Sequence, residues 1–507
     1  MDKKLYEKVG IWLEQHRKQM EKDIMRLVRI PSISAPWGGG GVSGREEASE
    51  APFGQPCRDC LEEMLAIGRE HGFYTENYGN RVGSIGEREK DWDNMIGFWN
   101  HMDVVPVGNQ WKYEPFVPFV EEPFLIGRGS QDNKGPAVGI LYMMECLREL
   151  QVPLGHQMCL FVGTDEERGM EDLEYYIQRY PAPRLSMIAD SGFPVCYGEK
   201  GIIEGGLRCP KLTWEGIREL KGGSASNMIP DMAYAVLERT AAAENAVIKT
   251  LDRIEKGAPK GQTQVPAEAQ AQIEAVFEQD RIRVVSRGRS RHSAFPQGSV
   301  NAIHGLMGFL AGLEILPAED AGLFGRLAFL SEEYFGEHMG IAYEDQVSGR
   351  TTCAATVLNM EEGKVFLHFN IRYAITANQE EMLKNLRRTG EENKMSWELG
   401  RNSGPSYFPK EHPAVERLTN LYNEITGSRT ESFVMGGGTY ARKLPRAFAY
   451  GIGAMKESEE DKEVRKRLFL PGHGGAHEPD EGLNVRLLTE AMKIYAMAMV
   501  ELKDCQL

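Results

Sequence analysis

The chain has 507 residues, with 59 Lys and Arg against 74 Asp and Glu, so its formal net charge is −15. Apolar residues make up 41% and charged residues 26%, which is typical of globular proteins and excludes a mainly disordered or fibrous chain. The negative charge argues against nucleic-acid binding, because such binding depends on neutralising phosphates. The length predicts two or three domains.

No apolar run of signal-peptide length follows the first residues of the sequence, and no run of about 18 apolar residues, as a membrane span requires, occurs in it. Eight cysteines are too few for a disulfide framework in a chain of this length. We therefore expect a soluble protein of the cytoplasm. Cys57 and Cys60 have the spacing of a redox pair, but they fall in a predicted helix, which favours ordinary packing.

Helical patterns alternate with short apolar runs in residues 1–201. The first predicted helix spans 5–28 and ends before Pro31, because a residue that precedes proline is disfavoured in a helix. Four glycines, Gly38–Gly41, form a predicted loop without the Lys-Ser/Thr of a phosphate-binding loop. The remaining predicted elements are helices 57–72 and 136–150 and strands 95–99, 158–162 and 187–189. This alternation predicts an α/β layer with a mostly parallel central sheet flanked by helices.

Residues 202–385 have a different pattern. They contain short alternating segments such as 281–285 beside separate helical patterns, which predicts an α+β domain inserted into the α/β domain. Residues 386–507 return to alternating helices and strands. The predicted α/β domain therefore consists of residues 1–201 and 386–507.

Five polar clusters follow the predicted strands or lie in loops rich in glycine and proline. In open α/β sheets, ligands collect at the carboxyl ends of strands. Each cluster also has an ordinary explanation, since a structural histidine, a helix cap or an acidic helix start needs no ligand. The clusters are Asn100–Asp103, Gly127–Pro136, Gly163–Gly169, Asp190 and Pro471–Glu481.

Together these clusters offer the donors of a metal centre. His101 can bind an ion while Asp103 holds its ring. The consecutive acids 165–167 repel one another, and next to a cation one carboxylate can bind the ion while its neighbour takes a proton from water. Asp132 can bridge two ions or simply cap the following helix. Imidazole and carboxylate without cysteine suit Zn²⁺ or another first-row divalent ion.

The order of the motifs resembles the co-catalytic zinc metallopeptidase and deacylase family, which includes dipeptidase V, carnosinase, glutamate carboxypeptidase, acetylornithine deacetylase and succinyl-diaminopimelate desuccinylase. The segments that carry the resemblance are Gly97–Pro106, Gly127–Pro136, Gly163–Glu167 and Ala476–Glu481. Those most similar to the dipeptidase V branch are Ala51–Gly54, Phe193–Val195, Gly198–Gly201 and Gly437–Arg442. The chain departs from the pattern at 37–44 and 456–467, which we expect to be extra surface loops.

The resemblance implies a metal-binding catalytic domain in residues 1–201 and 386–507. The residues at metal-ligand positions are His101, Asp132, Glu167, Asp190 and His477. Asp132 corresponds to the bridging carboxylate. Asp190 would pair with His101 on one ion, and Glu167 with His477 on the other.

Two further positions carry catalytic roles in the family. Glu166 corresponds to the general base, and Asp103 corresponds to the residue that orients the His101 ring. The resemblance also implies a cis peptide bond between Asp132 and Asn133.

The inserted domain, 202–385, resembles the family's lid, which binds substrate. His292 would stabilise the oxyanion of the reaction, and Asn227 matches a substrate-binding position. Arg372 suits a substrate carboxylate because its planar fork binds in a bidentate manner. Gly438 and Thr439, in the dipeptidase V-like segment, are also predicted to bind substrate.

The sequence thus predicts a hydrolase of dipeptide amide bonds. Two divalent ions are expected, Zn²⁺ in the first place, with Mn²⁺ or Co²⁺ as alternatives, and Glu166 takes the proton of the attacking water. The alternatives are an N-acyl amino-acid deacylase of the same chemistry and a non-catalytic homologue that binds metal or peptide. The expected partner is a small peptide substrate, with neither nucleic acid nor membrane. The large lid resembles that of the dipeptidase V branch, and this resemblance implies a monomer.

Overall fold

The computed structural model of the chain describes residues 1–35, 50–256, 271–453 and 455–507. The loops predicted at Gly38–Gly41 and at 37–44 lie outside these residues. Two compact units are present. The first comprises Met1–Gly198, Ser406–Val434 and Gly438–Leu507, and the second comprises Glu199–Pro405 and Met435–Gly437.

Helices and strands alternate through both units. The helices are α1 Lys3–Val28, α2 Gln55–Glu70, α3 Gly135–Glu149, α4 Glu171–Ile177, α5 Ala241–Glu255, α6 Ala302–Ala311, α7 Ala318–Leu330, α8 Gln379–Glu392, α9 Pro413–Thr426, α10 Glu459–Leu468 and α11 Val485–Glu501. The strands are β1 Tyr74–Tyr78, β2 Val82–Gly86, β3 Met95–His101, β4 Phe119–Glu121, β5 Phe124–Ile126, β6 Gln157–Gly163, β7 Leu185–Ile188, β8 Ser191–Gly192, β9 Val195–Glu199, β10 Gly201–Lys211, β11 Ile217–Gly222, β12 Met228–Ile229, β13 Met232–Glu238, β14 Gln272–Phe277, β15 Arg281–Arg287, β16 Arg291–His292, β17 Glu344–Asp345, β18 Gly349–Arg350, β19 Thr352–Glu361, β20 Lys364–Tyr373, β21 Ser396–Ser403, β22 Ser406–Tyr407, β23 Phe433–Met435, β24 Ala447–Tyr450, β25 Ile452–Gly453 and β26 Gly482–Asn484. Among these helices, none combines the length and the apolar character that crossing a membrane requires.

The first unit is built around a mixed sheet in the order β1-β2-β6-β3-β7-β24-β9-β22, with β23 also paired to β9. Its centre is parallel, because β3 pairs in parallel with β6 and β7, and β24 with β7. The pairs β1-β2, β2-β6 and β24-β9 are antiparallel. The predicted α/β class is confirmed, and the predicted parallel pairing holds for the centre of the sheet. All seven residues of β3 are buried, as expected for a strand with helices on both faces.

The predicted first and third helices are confirmed. Asp2 caps α1, since its Oδ1 accepts hydrogen bonds from the amides of Lys4 and Leu5 at 3.0 and 3.1 Å. Pro136 lies in the first turn of α3, where its missing N–H costs no helical hydrogen bond. Because α3 packs between the sheet, α1 and α11, twelve of its fifteen residues are buried.

The second unit contains an eight-stranded sheet in the order β14-β15-β13-β11-β19-β20-β10-β21. Its paired strands are antiparallel, and α6 packs on β13, β15 and β19, so this unit is α+β. Its boundary differs from the predicted one, because residues 386–405 belong to the second unit. The reason is that β21 pairs along β10 and so forms an edge of this sheet.

The prediction of a surface loop at 456–467 is wrong, because this stretch contains most of α10. Its high charge density is typical of a solvated loop. The order of the charges, however, favours a helix, because acids near the start and bases near the end stabilise the helix dipole. Acids occupy the first turn, bases occupy the last turn, and Ser458 Oγ caps the helix by accepting from the amide of Asp461 at 3.0 Å. Asp461 also anchors the helix, since its carboxylate accepts from Asn484 Nδ2 at 3.0 Å.

Candidate metal centre and active site

The carboxyl ends of three parallel strands bring the predicted ligands together in the first unit. His101 is the last residue of β3. Glu166 and Glu167 follow the end of β6, and Asp190 follows the end of β7. Because β3 lies between β6 and β7, these loops meet at one edge of the sheet, which is where ligands bind in such folds.

Asp132 stands between the two predicted histidine ligands. Its Oδ1 lies 2.9 Å from His101 Nε2, and its Oδ2 lies 3.1 Å from His477 Nε2. Asp190 Oδ2 is 3.6 Å from His101 Nε2, and Glu167 Oε1 is 2.9 Å from His477 Nε2. The five predicted ligands therefore lie close together, with Asp190 beside His101 and Glu167 beside His477, and their binding of metal stays a prediction. Asp132 does not cap α3, because the N-cap position belongs to Lys134.

The donor set fits divalent ions of the zinc type. Two ligands at about 2.0 Å from a tetrahedral ion lie about 3.3 Å apart, and the observed separations scatter around that value. His101, Asp132 and Glu167 form one group whose possible ligand atoms all lie within 4.8 Å of one another, and His101, Glu166 and Asp190 form a second. Among the described residues, the buried Glu166 Oε1 has no hydrogen-bond partner.

The carboxylates of this cluster destabilise one another. Burial, with the charge of Asp132, raises the pKa of Glu167 to about 7 and also raises the pKa of Asp190. Burial holds the pKa of Glu166 well above its ordinary value, with Asp190 and Glu167 adding to the rise. A divalent cation at this edge would offset that repulsion.

The same carboxylates favour the charged forms of the two imidazoles, those of His101 and His477. Burial opposes a charge on His101, but the nearby carboxylates of Asp103, Asp132 and Asp190 outweigh it and raise the pKa of His101 well above the ordinary value. His477 also has a raised pKa, because Asp132 and Glu167 outweigh its burial. Protons and cations therefore compete for the same carboxylates.

Asp103 holds the loop that carries the acids. Its carboxylate accepts the amides of Glu166 and Glu167 at 3.1 and 3.0 Å. The His101 ring bonds instead to the main-chain oxygen of Asp103, at 2.9 Å from Nδ1, and the carboxylate lies 3.5 Å from that nitrogen. Asp103 thus orients His101 largely through its backbone, while its buried side chain fixes the two glutamates.

Asp172 supports the same loop and was not predicted. Its Oδ2 accepts the amides of Thr164 and Asp165 at 2.6 and 3.0 Å and the hydroxyl of Tyr440. The approach of Tyr440 requires Gly163, because a Cβ there would overlap the hydroxyl and the carboxylate. Tyr440 lies in the dipeptidase V-like segment, which was the available signal in the sequence.

Glu481 holds the loop that carries Asp132. Its fully buried carboxylate accepts the amides of Gln131 and Asp132 through Oε1, at 2.9 and 3.0 Å. Its Oε2 accepts the amide of Gly129 at 3.0 Å and pairs with Arg128 Nη1 at 2.7 Å. Glu481 lies in the Ala476–Glu481 segment but received no role from the sequence. It links the loop of His477 to that of Asp132.

The Asp132–Asn133 peptide bond is cis, as the resemblance implies. Asn133 Nδ2 donates to the main-chain oxygen of Ala189 at 2.9 Å and to Asp190 Oδ1 at 3.1 Å. The next residue, Lys134, is fully buried, and its Nζ donates to the main-chain oxygens of Leu27 and Ile30 at 3.0 and 2.9 Å. The Asp132 loop is thereby tied both to Asp190 and to the end of α1.

A cavity of about 550 Å³ opens beside Asp132 and Asp190, within the size range of small-molecule sites. The apolar part of its wall includes Pro136, Leu483 and Leu487. All of these residues belong to the first unit, so this unit alone offers a recess next to the ligand cluster.

The predicted substrate-binding residues fall in two places. His292 lies in β16, next to Asn227 in the loop before β12, and Arg372 lies in β20; all three belong to the second unit. Gly438 and Thr439 belong to the first unit, before a short 3₁₀ turn in which Thr439 Oγ1 accepts the amide of Ala441 at 3.2 Å. Substrate binding by these residues stays a prediction.

Comparison with known sequences places this geometry in a family. The model of peptidase family M20/M25/M40 matches residues 97–501. "Putative dipeptidase YtjP" of Bacillus subtilis is 29% identical over 501 residues, which cover 96% of this chain and 97% of that protein. "Putative dipeptidase SSP1012" of Staphylococcus saprophyticus is 31% identical over 435 residues, which cover 83% of this chain and 88% of the relative.

Solved structures show the same fold. Human carnosine dipeptidase 1 superposes with a TM-score of 0.57 at 16% identity, covering 99% of each chain. The di-peptidase Dug1p of Saccharomyces cerevisiae superposes with a TM-score of 0.55 at 13% identity, covering 98% of each chain. With the family match extending from β3 into α11, and the ligand cluster lying within it, the chain belongs to peptidase family M20/M25/M40.

Proposed function

We propose that this protein is a metal-dependent dipeptidase. The observation that carries the proposal is the arrangement of Asp132 between His101 and His477, with Glu167 and Asp190 on its two sides. When bound there, divalent cations polarise a carbonyl group and make water acidic enough to lose a proton near neutral pH. Zn²⁺ suits these nitrogen and oxygen donors best, and Mn²⁺ or Co²⁺ are alternatives.

Glu166 is the proposed general base. Its buried carboxylate lies beside His101 and Asp190, and one of its oxygens has no partner among the residues that the structure describes. It takes one proton from the attacking water while the water oxygen bonds to the amide carbon. It then passes this proton to the leaving nitrogen as the C–N bond breaks. The second proton of the water stays on the new carboxyl group and passes to solvent when that group ionises, so the products are one carboxylate and one amine.

The proposed substrate is a dipeptide with a free carboxylate. Arg372 would bind that carboxylate through its planar fork, and His292 would stabilise the oxyanion. Asn227, Gly438 and Thr439 are the other proposed substrate contacts. The two-ion stoichiometry, the cytoplasmic location and the monomeric state stay predictions.

The test is hydrolysis of a dipeptide panel with added Zn²⁺, Mn²⁺ or Co²⁺, by wild type and by Glu166→Gln. The substitution should lower kcat by about 10² to 10⁴-fold and leave the metal content unchanged. Glu171→Gln is the matched control, because this exposed acid lies in the same loop region at the start of α4. Near wild-type turnover in Glu166→Gln would contradict the mechanism, and loss of metal would make Glu166 a ligand.

The same panel separates the alternatives. N-acyl amino acids are included, and faster cleavage of these than of dipeptides would identify a deacylase of the same chemistry. Bound metal, measured by elemental analysis, without hydrolysis of any compound would identify a binding protein.

A further inference from the structure

Asn370 occupies the centre of a buried hydrogen-bond network in the second unit. It lies two residues before Arg372 in β20, so both side chains are on one face of the strand. Its Oδ1 accepts from Arg372 Nε and from Ser293 Oγ, each at 2.8 Å. Its Nδ2 donates to Glu204 Oε1 at 2.8 Å. Asn370 and Ser293 are fully buried. One amide therefore joins β20, β10 and the loop after β16 without contact with water.

This network determines the orientation of the Arg372 guanidinium. Nε bonds to Asn370, and Nη1 donates to the main-chain oxygen of Gly436 at 3.1 Å. Glu204 Oε1 lies 4.0 Å from Nη2. A buried arginine needs such partners, because an unpaired charge away from water is costly. With Nε and Nη1 engaged, the plane of the fork is fixed before any ligand arrives.

The same amide reaches the His292 segment. Ser293, which bonds to Asn370, also donates its main-chain N–H to the main-chain oxygen of Asn227 at 2.9 Å. His292 Nδ1 accepts the amide of Ala294 at 3.2 Å. In a neutral ring the proton therefore sits on Nε2, which makes that nitrogen a donor. Burial and the charge of Arg372 lower the pKa of His292, which favours this neutral form.

We propose that Asn370 is a positioning residue that holds Arg372 and the His292–Ser293 segment in one arrangement for recognition of the substrate's terminal carboxylate. The proposal rests on the dipeptidase function proposed above. Asn370 itself does not touch the reacting atoms. It acts because a bidentate arginine discriminates carboxylate from neutral groups only when its fork is held in a fixed direction.

The test compares a good dipeptide substrate with its C-terminal amide. Wild type should prefer the free carboxylate in kcat/KM. Asn370→Ala should reduce this preference by about 10-fold to 100-fold, as expected for loss of a hydrogen bond to a charged group. The change should appear in KM for the free dipeptide, while KM for the amide stays constant.

Two further variants keep the result interpretable. Ser293→Ala removes one of the two bonds to Asn370 Oδ1 and should reduce the preference by about 2-fold to 10-fold, which covers the case that Asn370→Ala does not fold. Asn301→Ala is the matched control. Asn301 is another buried asparagine of this unit; it caps α6 and donates to the main-chain oxygen of Ala355 at 2.8 Å. This variant should lower thermal stability and leave the preference unchanged.

The outcomes separate the two proposals. A wild type without preference for the free carboxylate would overturn carboxylate recognition and the role of Asn370 with it. A wild-type preference that survives in both Asn370→Ala and Ser293→Ala would overturn the role of Asn370 alone. An equal loss of preference in Asn301→Ala would also overturn it, because the effect would then follow from stability.

Discussion

Among the described residues of the first unit, histidine lies between carboxylates in two places, and these differ in charge balance. At the first, His71 lies 3.2 Å from Asp23 Oδ2 through Nε2 and 2.6 Å from Glu145 Oε2 through Nδ1. Asp23 also accepts from Tyr142 Oη at 2.7 Å and from Arg26 Nη1 at 3.2 Å. Both oxygens of Asp23 thus have protein donors, and cations offset the acids.

The ligand cluster at the sheet edge lacks this balance. Carboxylates outnumber the imidazoles of His101 and His477, and the pKa values of Glu166, Glu167 and Asp190 rise. Within the described part of the chain, one oxygen of Glu166 has no hydrogen-bond partner. The comparison teaches that a histidine between two acids does not by itself indicate a metal site. Excess negative charge with an unsatisfied oxygen is the better indicator, because a bound divalent cation offsets the repulsion and gives that oxygen a partner.

The largest expected effect comes from replacing the aspartate of the ligand cluster, Asp132, rather than the aspartate beside His71, Asp23. Asp132→Asn should lose bound metal and lower hydrolysis by more than about 100-fold. Mutation of residues that only hydrogen-bond to metal ligands already lowers metal affinity or activity by up to about 100-fold. Asp23→Asn, the matched buried control, should lower the unfolding temperature and leave the metal content unchanged. Elemental analysis and calorimetry measure the two effects. Loss of metal from Asp23→Asn would contradict the comparison.

Next in size is the effect of the carboxylate that holds the Asp132 loop. Glu481→Gln places an amide against the donors of Gln131, Asp132 and Arg128, so we expect metal affinity to fall by about 10-fold to 100-fold. Competition with a chelator measures this affinity. Glu145→Gln is the control, because its carboxylate pairs with His71 away from the ligands. Equal affinities in the two variants would mean that Glu481 does not position Asp132.

His71 and its partners Asp23 and Glu145 should affect the stability of the fold rather than metal binding. Hydrogen bonds with Asp23 and Glu145 outweigh burial and raise the pKa of His71 from 6.5 to about 9. Because the folded pKa is the higher one, the stabilisation is fully present below pH 6.5 and disappears as pH rises through about 9. The shift corresponds to about 3 kcal/mol.

Urea unfolding of wild type and His71→Gln at several pH values checks this. The difference in unfolding free energy should narrow by about 3 kcal/mol from pH 6 to pH 10. A difference that stays constant over this range would show that folding does not raise the pKa of His71.

The smallest effect concerns the two cysteines of α2, the helix that ends beside His71. Cys57 and Cys60 are buried free thiols, and burial raises the pKa of both, so the reactive thiolate is scarce. We expect the native protein at pH 8 to resist alkylation by iodoacetamide at these positions, and Cys57→Ser to keep its metal. Peptide mapping checks the labelling, with urea-unfolded protein as the positive control. Rapid labelling of the native pair would revive the redox interpretation.

The sequence was most informative where residues follow a strand directly. His101, Glu166, Glu167 and Asp190 each come just after an apolar run, so their placement at one sheet edge follows from local pattern and α/β topology. His477 is different, because its loop has no strand immediately before it. Its partnership with Asp132 was implied by the family resemblance rather than by spacing.

Residues that act through long-range contacts escaped prediction. Asp23, His71 and Glu145 come from α1, the end of α2 and α3, so no spacing connects them. Glu481 and Asn370 lie inside recognised segments, but which amides their side chains accept depends on loop conformations that local propensity does not specify. The composition of 456–467 predicts a loop, whereas the Ser458 cap and the order of its charges favour the helix that forms there.

The burial of Lys134 has a consequence for shortened forms of the chain. Its ammonium group depends on two main-chain oxygens, those of Leu27 and Ile30, at the far end of the N-terminal helix. A truncated protein that starts after Pro31 would retain every proposed ligand and yet lose both of these main-chain acceptors of Lys134, two residues from Asp132. The N-terminal helix and the residues just after it therefore hold the Asp132 loop in place, although none of the proposed ligands or catalytic residues lies in this segment.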